Sequence, residues 1–206
     1  MQTTIVMSLI CLVIGFGVAW RIRGRQALAT FAREARTDML TGLKNRRAFD
    51  EELGRQFAQR QRQGIHFSLI MIDVDHLKAF NDVNGHLSGD LALRTVAQVL
   101  SATLREMDIV CRYGGDEFAV ICAGAKLQEA AVAAERVRQA VAAHAVSLKK
   151  GDAQVTVSLG VAEVINPEIS EGLIQRADDA LYAAKQSGRN RVHWHNGHEC
   201  LAAELH

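Results

Sequence analysis

At 206 residues and 22.6 kDa the chain suits one compact domain with short extensions. A composition that is 49% hydrophobic and 23% charged, with a single Pro, excludes a disordered chain, a collagen-like repeat and a Pro-rich linker. The net charge of +1 lacks the footprint of a dedicated nucleic-acid binder, and no nucleic-acid partner is expected. That near-neutral sum hides a basic collar, Arg21, Arg23, Arg25, Arg33 and Arg36 against the one acid Glu34, ahead of a mildly acidic body. Four cysteines without tight spacing read as ordinary thiols in a reducing compartment.

The first segment, Ile5–Trp20, reads IVMSLICLVIGFGVAW, and no charge occurs from Met1 to Trp20. Its length is at the short end of a bilayer span of about 17–25 residues. Trp20 stands where an interfacial aromatic belongs, and Arg21, Arg23 and Arg25 follow it. A secretory signal would carry its charge before the apolar run, not after it. Residues 1–20 are therefore expected to be a transmembrane anchor. The positive-inside rule then predicts a single-pass protein of the inner (cytoplasmic) membrane with its body in the cytoplasm. Residues 21–36 read as a helical linker with Leu28, Phe31 and Ala35 on one face, which serves either a short dimer seam or a cap on the domain.

The body is expected over residues 37–195. Asn45–Gln63 is helical in pattern, and HFSLIMID (His66–Asp73) is a buried central strand ending in a carboxylate. Helices are predicted over Asp75–Val83 and over Ser88–Arg105, with Ser88 as N-cap. DIVCRY and EFAVICA flank Gly114-Gly115-Asp116 and predict a hairpin whose Gly-Gly pair supplies positive φ at both central turn positions. Lys126–Val146 is an amphipathic helix, Gln154–Val164 a strand, Ser170–Gln186 a helix and Arg191–Trp194 a last short strand. Residues 196–206 are expected to be a flexible tail. Its His198 and Cys200, with His193 and His195 before them, match no zinc spacing. Helices and strands alternating around one hairpin make the fold α/β or α+β with a mixed sheet.

Two acidic sites stand out. Asp73 and Asp75 lie at the C-terminal end of the central strand, where open sheets bind ligands, and Asp116 and Glu117 lie at the hairpin tip. If hairpin and strand are neighbours, Asp73 and Asp116 face each other. Paired hard carboxylates with little His or Cys beside them favour Mg²⁺ or Mn²⁺ over zinc. Gly114 and Gly115 would let a phosphorylated ligand approach the backbone closely. No P-loop or dinucleotide-binding glycine motif is present, so a nucleotide would need another device.

These residues fall in longer motifs. RYGGDEF (Arg112–Phe118), DMLTGLKNRRAF (Asp38–Phe49), DVDHLKAFNDVNGHLSGD (Asp73–Asp90) and ADDALYAAKQSGRN (Ala177–Asn190) occur in order. Together they resemble the GGDEF family of diguanylate cyclases over residues 37 to about 194. The family usually has Phe where Leu77 stands, an apolar exchange expected to alter packing and not activity.

The resemblance implies a nucleotidyl-cyclase-like mixed central sheet flanked by helices, with a GGDEF hairpin. It also implies condensation of two GTP into cyclic di-GMP with release of pyrophosphate. By position, Asp73, the Val74 carbonyl and Asp116 would hold divalent metals, two per active site, with Glu117 contributing to the second ion. Asp116 would accept the proton of the attacking 3′-hydroxyl, the two-metal logic of in-line displacement. Asn81, His86 and Asp90 fall on substrate positions. An ionised Asp90 suits guanine, whose N1–H and exocyclic amine both donate. Lys78, Lys185 and Arg189 fall on phosphate positions, and Gly114 and Gly115 line the same site. Arg105 and Asp108 form the R-x-x-D of the family's inhibitory product site. The resemblance further implies a homodimer, each protomer binding one GTP. The alternative is a catalytically weak domain that serves as a cyclic di-GMP receptor through Arg105 and Asp108, against which the intact GGDEF motif argues. A mixed or adenine product is disfavoured by Asp90, and a scaffold without chemistry has no positive feature. Asp38 and Arg46 are expected to tie the entry helix to the domain and not to touch substrate.

Overall fold

The computed structural model describes residues 36–149 and 151–203. The expected anchor (1–20) and all of the linker (21–36) but Arg36 lie outside the described residues, among which no helix is long and apolar enough to cross a membrane. The body, from Asp38 on, is one compact unit.

In chain order the body runs α1 (Arg46–Gln63), β1 (Phe67–Val74), α2 (Leu77–Asn84), α3 (His86–Thr103), β2 (Ile109–Gly114), β3 (Glu117–Ala123), α4 (Leu127–Ala143), β4 (Ala145–Leu148), β5 (Gly151–Gln154), β6 (Val157–Glu163), α5 (Ser170–Gln186), β7 (Val192–His195) and β8 (Cys200–Ala202). Six strands form the main sheet in the order β2-β3-β1-β6-β7-β8, and β4-β5 is a separate hairpin. Every pair in the main sheet is antiparallel except β6-β7. The sheet is therefore mixed, as expected, but mostly antiparallel.

β1 is buried along its whole length because both faces of the sheet are covered, which is why its sequence is continuously apolar. Ile70, Ile72 and Val74 point to one side and pack with α3 and α4, including Val96, Leu100, Val137 and Val141. Phe67, Leu69 and Met71 point to the other and pack with Phe49 and Leu53 of α1 and with Leu173, Ala177 and Leu181 of α5. By the same alternation Asp73 falls on the α1/α5 side. Gly160 of β6 lies on that side too. A Cβ there would run into the backbone of Ala177 and Leu181, so the glycine lets α5 lie directly on the sheet.

Several boundaries differ from the sequence expectation. Ser88 does not cap α3: the helix starts two residues earlier behind Gly85, and the Ser88 hydroxyl donates to the Asn84 carbonyl at 2.8 Å. The helix predicted to Val146 stops at Ala143, because Val146 is buried as part of β4 and pairs with Ala153. The expected flexible tail is ordered at its start. Cys200–Ala202 add to the sheet against β7, and the Asn196 side chain accepts from the backbone N–H groups of His198 and Glu199 (2.9 Å each) to close the turn between them. Three short residues beyond a polar turn carry too little periodicity to announce a strand.

Candidate active site

The acidic site forms where β1 ends beside the β2-β3 hairpin. In register, Asp73 stands directly opposite Glu117, and the Val74 N–H donates to the Asp116 carbonyl at 3.2 Å. The turn differs from the Gly-Gly turn expected. Gly114 closes β2, and the two-residue loop is Gly115-Asp116, with positive φ (+45°) at Gly115. Pairing slips by one residue between Arg112 and Gly114, a bulge that leaves Tyr113 without a partner across the hairpin. The bulge moves the two central turn positions from the expected Gly114-Gly115 to Gly115-Asp116. It also fixes Asp116 at the tip and Glu117 on the strand.

Lys185, in the last turn of α5, reaches Asp73 with Nζ 2.8 Å from Oδ2. Burial pushes the Asp73 carboxyl above its ordinary value. Lys185 pulls it down, and Asp116 and Glu117 push it further up. Glu117 is raised by burial, then by Asp178 and Asp116, with Lys185 and Arg46 opposing. Like charges placed opposite one another on a sheet are destabilising, so this cluster costs the fold free energy and is suited to a cationic ligand. All its donors are hard oxygens, which fits Mg²⁺ or Mn²⁺. Among the described residues no three such side chains are gathered tightly enough to make a complete ion site. That also fits Mg²⁺, which usually takes one or two carboxylates and completes its shell with substrate phosphates and water.

Asp75, paired with Asp73 in the sequence argument, has a different role. It is 5% exposed and accepts from the Ser158 hydroxyl (2.7 Å), the Thr156 hydroxyl (2.7 Å) and the Asn190 backbone N–H (3.1 Å). Its oxygens are committed to tying β1 to β6 and to the loop after α5.

The remaining expected residues are spread around this centre. Lys78 is exposed in the first turn of α2, and His86 is exposed at the start of α3. Asn81 of α2 turns its side chain onto Gly89, where any Cβ would collide with it, and its Oδ1 is buried without a hydrogen-bond partner. Asp90 follows Gly89 on α3 and is partly buried. Arg189, with φ of 60°, follows α5, and its backbone N–H donates to Ala184. Arg105 and Asp108 form a turn before β2. The Asp108 carboxylate accepts from the Arg105 N–H at 3.0 Å, and the Arg105 side chain is exposed. Three further residues at the site, Arg112, Tyr113 and Asp178, carry no signal of their own in the sequence. Arg112 binds both Asp38 and the turn, Arg46 lies over the Tyr113 ring at 4.5 Å, and the charge of Asp178 bears on Glu117. All three lie in the motifs quoted above, but only the fold brings them to the site.

Residues 35–191 match the family described as "Diguanylate cyclase, GGDEF domain". The chain belongs to the GGDEF family of diguanylate cyclases. This GGDEF chain is 40% identical over 159 residues to the diguanylate cyclase DgcP of Pseudomonas aeruginosa, an alignment covering 77% of this chain and 24% of that protein. It is 41% identical over 154 residues to DgcZ of Escherichia coli, covering 75% of this chain and 51% of DgcZ. The chain thus spans about a quarter of the length of DgcP and about half that of DgcZ. Among solved structures, the coiled coil and GGDEF domain of DgcB from Caulobacter crescentus in complex with c-di-GMP superposes with a TM-score of 0.84. It is 37% identical, and the match covers 88% of this chain and 97% of that one.

Proposed function

We propose that the chain is a metal-dependent diguanylate cyclase that condenses two GTP into cyclic di-GMP and releases pyrophosphate. The observation that carries this reading is the meeting of Asp73, Glu117 and the Gly115-Asp116 turn with Lys185, in a chain about 40% identical to named diguanylate cyclases. Asp73, Asp116, Glu117 and the Val74 carbonyl would hold Mg²⁺ or Mn²⁺, two ions per site. Such ions supply charge neutralisation on the triphosphate and a lowered pKa for the attacking 3′-hydroxyl. Asp116 takes that proton. Lys185 already faces the carboxylates and, with Lys78 and Arg189, holds the phosphates. Asn81 and Asp90 read the guanine edge, and His86 completes the substrate contacts. The unpartnered Oδ1 of Asn81 suits a purine that brings an N–H donor, since a buried acceptor is costly until bonded. Gly114 and Gly115 leave the turn open to the nucleotide.

One protomer binds one GTP, so activity requires two copies facing each other. The apolar segment 1–20 tethers the chain to the inner membrane with the domain in the cytoplasm. Arg105 and Asp108 bind the product and inhibit. The test is incubation of the full chain with GTP, or with ATP as control, and Mg²⁺, with products identified by mass, alongside D116A. Cyclic di-GMP and pyrophosphate from GTP alone, abolished in D116A, are expected. No product at protein concentrations that favour dimers would overturn the enzyme reading in favour of a cyclic di-GMP receptor.

A further inference from the structure

The guanidinium of Arg112 is shared between two parts of the chain. Nε and Nη2 donate to the Gly115 carbonyl oxygen at 3.1 and 2.7 Å, and Nη1 donates to both Asp38 carboxylate oxygens at 3.2 Å. The backbone N–H of Arg112 donates to the Lys44 carbonyl at 2.8 Å, so main chain and side chain grip the same 38–44 segment.

Asp38 is itself immobilised. Its Oδ1 accepts from the Thr41 N–H (2.9 Å) and hydroxyl (2.7 Å), its N–H donates to Leu43, and its carbonyl accepts from Gly42. Burial raises its carboxyl, but the Thr41 bonds and the Arg112 charge outweigh this and hold it below the ordinary value. The carboxylate is therefore ionised at neutral pH and paired. Asp38 and Arg112 expose only 22% and 16% of their side chains, where a charge-assisted pair is stronger than on an open surface.

The Gly115 carbonyl belongs to the peptide that leads into Asp116, so holding that oxygen fixes the peptide plane and with it the direction in which Asp116 leaves the turn. The hairpin has two ways to close. Without a bulge, Tyr113 would pair with Glu117 around a three-residue loop; the observed slip pairs Gly114 with Glu117 around two. A one-residue change of register moves side chains to the opposite face. With its flexible Gly-Gly pair, the sequence does not by itself select one register. The Arg112 grip on the Gly115 oxygen belongs to the observed register.

We propose that Arg112, braced by Asp38, is a positioning residue for Asp116, locking the Gly115-Asp116 peptide and the hairpin register that set Asp116 beside Asp73. This rests on the cyclase reading for its kinetic arm only. Arg112 touches no reacting atom; it acts through the turn. Because Asp38 is the first residue of the body, the brace lies where the chain enters the domain.

The test compares wild type, R112A, R112K and D38N as full-length chains. In R112A, amide hydrogen exchange at residues 114–117 should accelerate at least tenfold while Leu69–Ile72 of β1 are unchanged, and kcat should fall at least tenfold with KM for GTP moving less than threefold. R112K keeps the charge but not the fork, and should recover only part of kcat. D38N keeps the Arg112 contact to Gly115 and should give a smaller loss of the same kind. Unchanged exchange at 114–117, exchange that rises equally in β1, or intact kcat would each overturn the proposal. If R112A does not fold, D38N decides: wild-type kcat and turn exchange refute it. If the wild-type chain makes no product, the cyclase reading fails. The positioning proposal is then judged on turn exchange and on Mn²⁺ binding by electron paramagnetic resonance, which should weaken at least threefold in R112A and would refute it if unaltered.

Discussion

Replacing Asp75 by Ala separates a carboxylate that holds the fold together from its neighbour Asp73, which strains it. The Asp75 oxygens accept from Ser158, Thr156 and the Asn190 N–H, and the residue is 5% exposed. Hydrogen bonds to a charged group contribute about 1.5–3 kcal/mol each, but their losses do not add when the donors share one acceptor. Ser158 is fully buried and would stay unsatisfied, whereas Thr156 is partly exposed and Asn190 exposed, and both can recruit water. The expected net loss is therefore about 3–4 kcal/mol, the loss of two to three shared hydrogen bonds plus one buried hydroxyl left unsatisfied. At roughly 2–4 °C per kcal/mol for a domain of this size, Tm should drop by about 6–16 °C. D73N should stay within about 1 kcal/mol of wild type, since it relieves the burial of a carboxylate that Asp116 and Glu117 oppose and gives up the ion pair to Lys185, two effects that offset each other. Under the proposed cyclase function, product formation by D73N should fall at least a hundredfold, on the order of one oxyanion- or metal-binding group. Urea unfolding followed by circular dichroism, with a product assay on the same samples, measures both. A D75A loss below about 1 kcal/mol, or a D73N loss as large as that of D75A, would refute the assignment of the two roles.

Gly160→Ala should destabilise by about 3 kcal/mol, the upper end for an added methyl that meets backbone and not a movable side chain, whereas Gly54→Ala, in an exposed helix position with open space, should stabilise by about 0.5–1 kcal/mol. Thermal melts of both variants check the pair, and equal effects would contradict the close approach of α5 to β6. Asp178 is raised above its ordinary value of 3.8 by burial and by Asp179, against the pull of Lys185. A raised carboxyl means the fold penalises the charged form. The penalty is complete above the folded pKa and disappears as pH falls through it. D178N should therefore melt higher than wild type at pH 8 in metal-free buffer, and the gap should close as pH is lowered toward 3.8. A gap that is absent, or independent of pH, would count against the placement of Asp178 in the acidic cluster.

How much of this was legible before the fold is seen from particular residues. HFSLIMID announced β1 because burial on both faces leaves a strand no polar positions, and the 3.6-residue pattern of Ser170–Gln186 gave the bounds of α5 as observed. The motif residues Asp73, Asp116, Glu117 and Lys185 could be named from order and spacing. Their partnership could not. Whether Asp73 or Asp75 faces Lys185 depends on the antiparallel register of β1 with β3 and β6, which pairs Asp73 with Glu117 and commits Asp75 to Ser158, Thr156 and Asn190. The same holds for the hairpin. Two glycines promise a tight turn, but the bulge at Tyr113 and the contact of Arg112 with Asp38 decide which residue stands at its tip.

The sequence by itself determined the family, the order of the helices and strands apart from β4, β5 and β8, and the identity of the acidic residues, because local periodicity and motif spacing are properties of the chain. Tertiary structure alone decided which carboxylate is structural, where the turn closes, that residues 200–202 extend the sheet, and which cation sits beside Asp73. Each of these depends on contacts between segments distant along the chain, whose energies no local pattern records.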